Sequence, residues 1–180
     1  MTRSKVPALL VTLLLGWYGR GLASDANSAS VKLINTNGQQ VGEATLTETP
    51  NGVLIRLALP PNPPGVSPGT HALHIHEVGK CEPPFKSAGG HFNPLGKKHG
   101  YLNKGAGHAG DLPNIHVPEK SPMTMEFMAP QISLTRGKNA LFDADGSSLV
   151  IHTREDDYRS DPAGESGDRI ACGIVEKGSK

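Results

Sequence analysis

The 180-residue sequence lacks several features, and each absence narrows the fold or the function. Its formal charge is only +1, and without a basic excess we do not expect nucleic acid as the main partner. No stretch has the 3.6-residue apolar period of an amphipathic helix. The 22 glycines and 15 prolines make up about a fifth of the chain, which argues against a helical bundle or a coiled coil. The length still suits one domain with a core of its own.

Long hydrophobic runs are absent apart from one near the N-terminus. The run Val6–Trp17 follows two cations and is too short to span a bilayer, as is typical of a signal peptide. The small residues Gly21 and Ala23 suit a cleavage after Ala23. We therefore predict that residues 1–23 are a signal peptide and that the protein is exported, to the periplasm or beyond. We expect no stable membrane anchor, although a retained anchor is the open alternative.

Cysteine is scarce, since only Cys81 and Cys172 occur. In an exported protein these two thiols are expected to form a disulfide. The pairing would close a loop of about 90 residues and stabilise the fold by about 4–5 kcal/mol on the chain-entropy model. Two buried free thiols remain the alternative.

Short apolar segments, several of them alternating with polar residues and most bounded by turn residues, predict an all-β protein. Asn37-Gly38 and Pro50-Asn51-Gly52 are turn signals between the first three segments. No repeat or linker divides the chain, so we predict a short extension at 24–30 and one antiparallel sandwich or barrel domain at 31–180. Strands are predicted at 31–36, 41–47, 53–59, 73–78, 115–117, 123–127, 139–142, 149–152 and 170–175.

A long stretch without apolar periodicity separates the strands at 73–78 and 115–117. Such a long loop inside a compact domain indicates a function or disorder. It holds three of the eight histidines, His91, His99 and His108, and it also holds Asp111. Imidazole and carboxylate are typical zinc ligands, so a metal ion is expected to order this loop.

Further histidines lie on predicted strands. In His74-Ile75-His76 the two imidazoles point to the same face of a strand, because side chains alternate along it. This pair alone is a weak metal signal. His152 ends a later apolar strand, and taken alone it could equally be an edge histidine.

Together these segments resemble the copper/zinc superoxide dismutases in their exported bacterial form. The resemblance covers about residues 31–176. Ala72 and Leu73 stand where the family usually has glycine and phenylalanine. The matching segments are His71-Ala72-Leu73-His74-Ile75-His76, Gly90-His91-Phe92-Asn93-Pro94, Lys97-Lys98-His99-Gly100, Gly107-His108-Ala109-Gly110-Asp111-Leu112, Leu149-Val150-Ile151-His152 and Gly167-Asp168-Arg169-Ile170-Ala171-Cys172-Gly173.

The resemblance implies a Greek-key β-barrel with long metal-binding and substrate-channel loops. It implies one copper and one zinc ion per subunit, with His91 joining the two. The implied copper ligands are His74, His76, His91 and His152. The implied zinc ligands are His91, His99, His108 and Asp111.

The resemblance also assigns roles outside the ligand sets. Asp156 would orient a copper-ligand and a zinc-ligand histidine, and Arg169 would attract the anionic substrate beside the copper. Cys81 would pair with Cys172. His71 is implied to be a packing residue that binds no metal.

The implied reaction converts two superoxide anions and two protons into oxygen and hydrogen peroxide. Copper can take and return one electron, whereas zinc cannot. In the family mechanism His91 also takes up a proton, so Arg169 and His91 are the candidate catalytic residues. The resemblance leaves open whether the protein is a monomer or a homodimer.

Some residues and functions remain open. We hypothesise that some of Lys86, Lys97, Lys98 and Lys104 line the approach of the anion, although solvated lysines would look the same in sequence. No role is assigned to His116. A non-catalytic copper or zinc carrier is the main alternative function. A zinc hydrolase would need an open zinc position, which a set of four protein ligands does not leave.

Overall fold

The computed structural model describes residues 27–105 and 107–178, and the predicted signal peptide at 1–23 lies outside them. Within the described part, nine strands carry the fold, and helix is limited to two short 3-10 turns, Lys86–Ala88 and Gly137–Asn139. The strands are β1 (Ser28–Asn35), β2 (Gln40–Thr49), β3 (Gly52–Leu59), β4 (Gly69–His71), β5 (Leu73–His76), β6 (Ile115–Val117), β7 (Met123–Ala129), β8 (Ser148–His152) and β9 (Arg169–Lys177).

Seven strands form one antiparallel sheet that curves into a half-barrel. The order in the sheet is β5-β8-β9-β1-β2-β3-β7, and β4 pairs with β6 in a separate two-stranded ribbon. β1, β2 and β3 are joined by tight turns, whereas long connections lead from β3 to the far edge of the sheet and from β8 to its neighbour β9. Such long returns are typical of Greek-key arrangements, so the predicted all-β antiparallel class is confirmed.

Alternation along the strands builds the core. In β3 the side chains of Val53, Ile55, Leu57 and Leu59 are buried, and Arg56 between them is exposed. The turn before β2 contains Gly38 with φ of 76°, a left-handed conformation that the Asn-Gly signal anticipates. The hydrophobic core therefore lies on one face of the sheet, under the long connections.

The strand prediction fails at 139–142. Ala140 makes only an isolated bridge to Ser133, and Leu141 is fully buried without belonging to a strand. A short apolar segment that fills the core from a loop looks like a strand in sequence, because burial is the shared cause. The structure differs from the sequence prediction in two smaller ways. The sequence pattern gives no signal for the short strand β4, and β1 begins at Ser28, inside the predicted extension at 24–30.

Two long loops cover one part of the molecule. The first runs between β5 and β6, and the second runs between β8 and β9. The disulfide between Cys81 and Cys172, which are 91 positions apart in the sequence, ties the first loop to β9. In the described part of the chain, no helix is long and apolar enough to cross a membrane.

Candidate metal centre

Neighbouring strands bring three of the predicted histidines together. His74 and His76 lie on β5, and His152 lies at the end of β8, which pairs with β5. All three are buried, with at most 3% of each residue exposed. The histidines predicted to share a strand face are therefore buried inside the protein, and they do not lie at a solvent-exposed edge.

The loop after β5 folds back onto that strand. Phe92 N donates to Ile75 O at 2.8 Å, and Ile75 N donates to Gly110 O at 2.8 Å. Gly110 packs so closely that a Cβ atom there would lie 2.3 Å from Ile75 O, so only glycine fits. These backbone contacts bring His91 and Asp111 beside the β5 histidines.

The side chains form two adjoining groups that could each hold a metal ion, and His91 belongs to both. Within each group one nitrogen or oxygen atom per residue lies within 4.8 Å of the others, and every member is buried. One group is His74, His76, His91 and His152; the other is His91, His99, His108 and Asp111. These are the two ligand sets that the family resemblance implies.

Asp111 is the centre of the second group. Its Oδ1 lies 2.9 Å from His91 Nδ1 and 3.3 Å from His108 Nδ1, and its Oδ2 lies 3.0 Å from His99 Nδ1. The donor set of three imidazoles and one carboxylate is that of a closed, four-coordinate zinc site. Asp111 Oδ2 also accepts from the backbone N–H of His108 at 2.8 Å, which fixes the carboxylate.

In the first group, each histidine on a strand uses one ring nitrogen in a hydrogen bond. Its other ring nitrogen is free to bind an ion. Carbonyl oxygens can only accept, so His76 Nδ1 donates to Gly89 O at 3.1 Å and His152 Nδ1 donates to Gly167 O at 3.3 Å. Their Nε2 atoms, 3.4 Å apart, then carry the lone pairs. His74 is reversed, because its Nε2 lies 2.9 Å from Asp156 Oδ2.

Three buried ring nitrogens make no hydrogen bond of acceptable geometry within the described residues: His74 Nδ1, His91 Nε2 and His99 Nδ1. His99 Nδ1 nevertheless lies 3.0 Å from the carboxylate oxygen Oδ2 of Asp111, so it has a charged neighbour. A buried polar atom without a partner is costly and needs a physical cause. Here each unpartnered atom belongs to a proposed metal-binding group, and a bound cation would satisfy all three. The residues therefore fit the two ions.

Burial and charge set the protonation of these rings. Burial lowers the pKa of His91 to about 4 and that of His152 to about 2, so both are neutral near pH 7 and can bind a metal. Burial also opposes a charge on His99, but the carboxylates of Asp111 and Asp156 outweigh it and raise the pKa of His99 to about 9. Burial opposes ionisation of Asp111, but its contacts with His108, His91 and His99 outweigh it and hold the pKa of Asp111 well below its usual range.

Asp156 contacts one histidine of each group, as the family resemblance implies. Its Oδ2 lies 2.9 Å from His74 Nε2, and its Oδ1 lies 2.9 Å from His99 Nε2. Gly164 packs against this contact, since a Cβ atom there would lie 1.9 Å from Asp156 Oδ1. Hydrogen bonds of this kind fix the tautomer and the orientation of metal-binding imidazoles.

A cavity of about 740 Å³ opens onto the first group. Arg169 lines it together with His76, His91 and His152. Arg169 is half-buried, and its Nη1 and Nη2 donate to Phe85 O and Gly89 O, both at 2.6 Å. The guanidinium is thus fixed beside the histidines and facing the cavity.

The disulfide supports this arrangement. Cys81 and Cys172 pair as predicted, with 5.6 Å between their Cα atoms. Cys172 packs with Phe85, and Phe85 and Gly89 supply the carbonyl groups that hold Arg169. The bridge therefore ties the Arg169-binding segment to the strand that carries Arg169.

The structure separates the other candidates. Of the four lysines, only Lys97 lines the cavity, whereas Lys86, Lys98 and Lys104 do not. Both ring nitrogens of His71 lie 2.8 Å from carbonyl oxygens, so neither points at a metal group. His116 is exposed and lies 3.4 Å from Thr70 Oγ1.

Sequence reasoning missed several residues around the site. Arg154 and Glu77 line the cavity, and Asn114 contacts the backbone of Asp156. The only sequence signal for Arg154 is its position two residues after His152, a candidate metal ligand. Nothing in the sequence marks Asn114, because its partner lies 42 residues away.

The antiparallel half-barrel and the paired groups define an all-β metalloprotein in which one histidine can serve two ions. The family model of copper/zinc superoxide dismutase matches residues 40–175, and the chain belongs to this family. Family members bind copper and zinc, and the two groups of this chain have suitable donors for both.

Individual relatives agree with the family assignment. The chain is 52% identical over 150 residues to superoxide dismutase [Cu-Zn] 2 of Aquifex aeolicus, covering 82% of this chain and 85% of that protein. A solved superoxide dismutase-like protein from Bacillus subtilis has 40% identity and a TM-score of 0.73, over 81% and 97% of the two chains. The Cu/Zn superoxide dismutase from Brucella abortus has 29% identity and a TM-score of 0.65, over 83% and 99%.

Proposed function

We propose that the protein is a superoxide dismutase that converts two superoxide anions and two protons into oxygen and hydrogen peroxide. The observation that carries this proposal is that His91 belongs to two adjoining groups of buried ligands. With both groups occupied, the shared imidazole would place a redox-active ion next to a structural one, an arrangement that neither a simple carrier nor a hydrolase requires.

His74, His76, His91 and His152 would hold copper. Copper supplies the one-electron chemistry when bound, since four imidazoles suit a redox-active copper ion. The protein contributes fixed ring orientations. Hydrogen bonds to Gly89 O, Gly167 O and Asp156 direct one lone pair from each of the three strand histidines into the group.

His91, His99, His108 and Asp111 would hold zinc. A zinc ion has one accessible charge state, so here it would order the loop and hold the His91 ring on the Asp111 side. The support is the central position of Asp111, which touches all three imidazoles.

His91 is the proposed proton carrier. Its Nδ1 lies on the side of Asp111 and His108, whereas its Nε2 has no hydrogen-bond partner within the described residues. While Nε2 binds no ion, this ring can accept a proton there from solvent and donate it to the peroxide formed from superoxide. The second proton of hydrogen peroxide comes from solvent through the open cavity.

Arg169 is the proposed binding residue for superoxide. An arginine keeps its charge and can donate a forked pair of hydrogen bonds to a small anion. The carbonyl groups of Phe85 and Gly89 take up part of its hydrogen-bonding capacity and set its direction. The remaining N–H groups can meet an anion in the cavity that the histidines line.

Lys97 is a proposed steering residue, because it is the predicted lysine that lines this cavity. Replacing Lys97 by Gln should lower kcat/KM and flatten its dependence on salt, since local positive potential raises the arrival rate of anions. Lys86→Gln is the matched control, on the same loop but outside the cavity. Equal salt slopes in the two variants would remove Lys97 from the account.

Export is the second part of the proposal, with residues 1–23 as the signal peptide. The Cys81–Cys172 disulfide supports it, because disulfides persist in oxidising compartments. Mass spectrometry of the protein recovered from a periplasmic or secreted fraction should give a mature N-terminus near position 24. An intact N-terminus in the cytoplasmic fraction would contradict the proposal.

A dismutase assay on metal-loaded protein tests the function. We expect one copper and one zinc ion per chain by elemental analysis and a superoxide consumption rate that falls to background after chelation. Full metal content without dismutase activity would instead indicate a metal carrier. Zinc without copper would contradict the assignment of the first group.

A further inference from the structure

Asp156 holds one histidine of each metal group, yet its own backbone belongs to no strand. It lies in the loop between β8 and β9, where sheet hydrogen bonds do not fix it. A carboxylate that must reach two rings at 2.9 Å needs a fixed backbone. The question is which residue supplies that support.

One side chain binds both backbone groups of Asp156. Asn114 Oδ1 accepts from Asp156 N at 2.8 Å, and Asn114 Nδ2 donates to Asp156 O at 2.9 Å. The amide therefore pairs with Asp156 as a neighbouring strand would pair with it. Among the described residues, the Asp156 main chain makes no other hydrogen bond.

Asn114 is itself anchored at both ends of its segment. Ile115, the next residue, is fully buried and begins β6, and Leu112 is 1% exposed. The backbone N–H of Asn114 donates to the hydroxyl of Tyr158 at 2.6 Å. Tyr158 N in turn donates to Asp156 Oδ1 at 2.6 Å, which closes a small network around the carboxylate.

We propose that Asn114 is a positioning residue for both metal groups and acts through Asp156. It joins the end of the loop that carries Asp111 to the loop that carries Asp156. It touches no ligand atom, so its effect on the ions must pass through the bonds from Asp156 to His74 and His99. This inference rests on the two metal groups, and not on the rate of the proposed reaction.

A general loss of loop contacts is the competing mechanism, and Asn103 provides the matched control. Asn103 Nδ2 donates to His99 O at 3.0 Å and to Arg159 O at 2.7 Å. It therefore joins the same two loops without contacting Asp156. A purely structural role predicts equal effects of Asn114→Ala and Asn103→Ala on metal binding.

The experiment measures zinc affinity by chelator competition and the Cu(II) electron paramagnetic resonance spectrum of the full mature protein. Asn114→Ala should weaken zinc binding about tenfold, at the lower end of the range for outer partners of metal ligands. It should also shift the copper spectrum, because a less firmly held Asp156 orients the His74 ring less well. Asn103→Ala should change zinc affinity by less than about threefold, because its contacts bypass Asp156.

A double-mutant cycle identifies the route. In the Asp156→Ala background, Asn114→Ala should have almost no further effect on zinc affinity, because the path is already broken. Additive effects, or an Asn114→Ala variant that binds zinc like the wild type, would overturn the proposal. If Asn114→Ala does not fold, Asn114→Asp keeps the acceptor for Asp156 N–H, loses the donor and should give a smaller change of the same sign.

The outcome is separate from that of the proposed function. Wild-type protein that binds copper and zinc without consuming superoxide would refute the dismutase, while the zinc affinities would still decide the role of Asn114. Wild-type protein that binds no zinc would overturn both.

Discussion

Arg169 and His76 donate to the same oxygen atom, the carbonyl of Gly89. Arg169 Nη2 lies 2.6 Å from it and His76 Nδ1 lies 3.1 Å from it. One peptide group therefore fixes both the cation that faces the cavity and the tautomer of a proposed copper ligand. Movement of the segment at Gly89 would disturb substrate binding and metal binding together.

The first prediction concerns the fork of Arg169. Arg169→Gln should lower kcat/KM by about 10–10³, since it removes the cation beside the proposed copper ligands. Arg169→Lys should lose less activity, because it keeps the positive charge. Some loss is still expected, because a lysine cannot donate to Phe85 O and Gly89 O in the same way. Stopped-flow superoxide decay measures both variants. Unchanged kcat/KM in Arg169→Gln, with full metal content, would remove Arg169 from the site.

The second prediction concerns protons released when zinc binds. The pKa of His99 is raised to about 9, so at pH 7 its ring is protonated in the absence of metal and must lose a proton to bind zinc. Zinc affinity should therefore rise as the pH increases from 7 to 9 and level off above that. Calorimetry in buffers of different ionisation enthalpy should detect about one proton from this ring at pH 7.

The control for this second prediction is Asp156→Asn, which removes one of the two carboxylates beside His99. It should lower the pKa of the ring and reduce the number of protons released at pH 7. Zinc binding without proton release in the wild type would contradict the charge state assigned to His99.

The third prediction concerns the disulfide. Replacing both Cys81 and Cys172 by Ser should lower the free energy of unfolding by about 4–5 kcal/mol, because the bridge closes a loop of about 90 residues. Denaturant unfolding of the metal-free protein measures this loss without a contribution from metal binding. A change under about 1 kcal/mol would show that the unfolded state is not restrained by the bridge.

The fourth prediction concerns a carboxylate far from the metals. Glu48 on β2 accepts from Leu134 N, Ser133 Oγ and Arg136 Nη2, which holds the loop at 133–136 against the sheet. Burial opposes ionisation, but these contacts outweigh it and lower the pKa of Glu48. Its contribution to stability is therefore present above the unfolded-state pKa near 4.5 and is lost as the pH falls through the lower folded value.

Glu48→Gln should accordingly destabilise the protein at pH 7 and have little effect at pH values below the folded pKa of Glu48. Thermal unfolding at several pH values measures the difference, with Glu43→Gln on the exposed face of the same strand as the control. An equal effect of Glu48→Gln at all pH values would contradict a role for the charge.

The residues alone predict metal binding, through a histidine pair at alternate strand positions and a glycine-rich loop with three histidines. The division into two ligand sets that share His91 follows only from the resemblance to the copper/zinc superoxide dismutases. The structure brings each of these sets together as a buried group. The two hairpins formed by β1, β2 and β3 can also be predicted from the sequence, since Asn37-Gly38 and Asn51-Gly52 mark their turns.

The parts that sequence could not give are contacts between distant backbone groups. Every residue has a backbone carbonyl, so nothing in the sequence marks that of Gly89. Its partner Arg169 also lies 80 positions away. Asn114 and Asp156 meet only once the two loops have folded over the sheet. The false strand at 139–142 has the opposite cause, since Leu141 is buried by tertiary packing without any strand pairing.

The most direct test of the central claim is a crystal structure of the copper- and zinc-loaded protein with anomalous data at both metal edges. We predict two metal peaks on opposite sides of the His91 ring, each about 2.0–2.1 Å from one of its nitrogens, the usual distance between zinc and an imidazole nitrogen. Copper should lie toward His74, His76 and His152, and zinc toward Asp111. A His91 ring that binds only one ion, or none, would contradict the account.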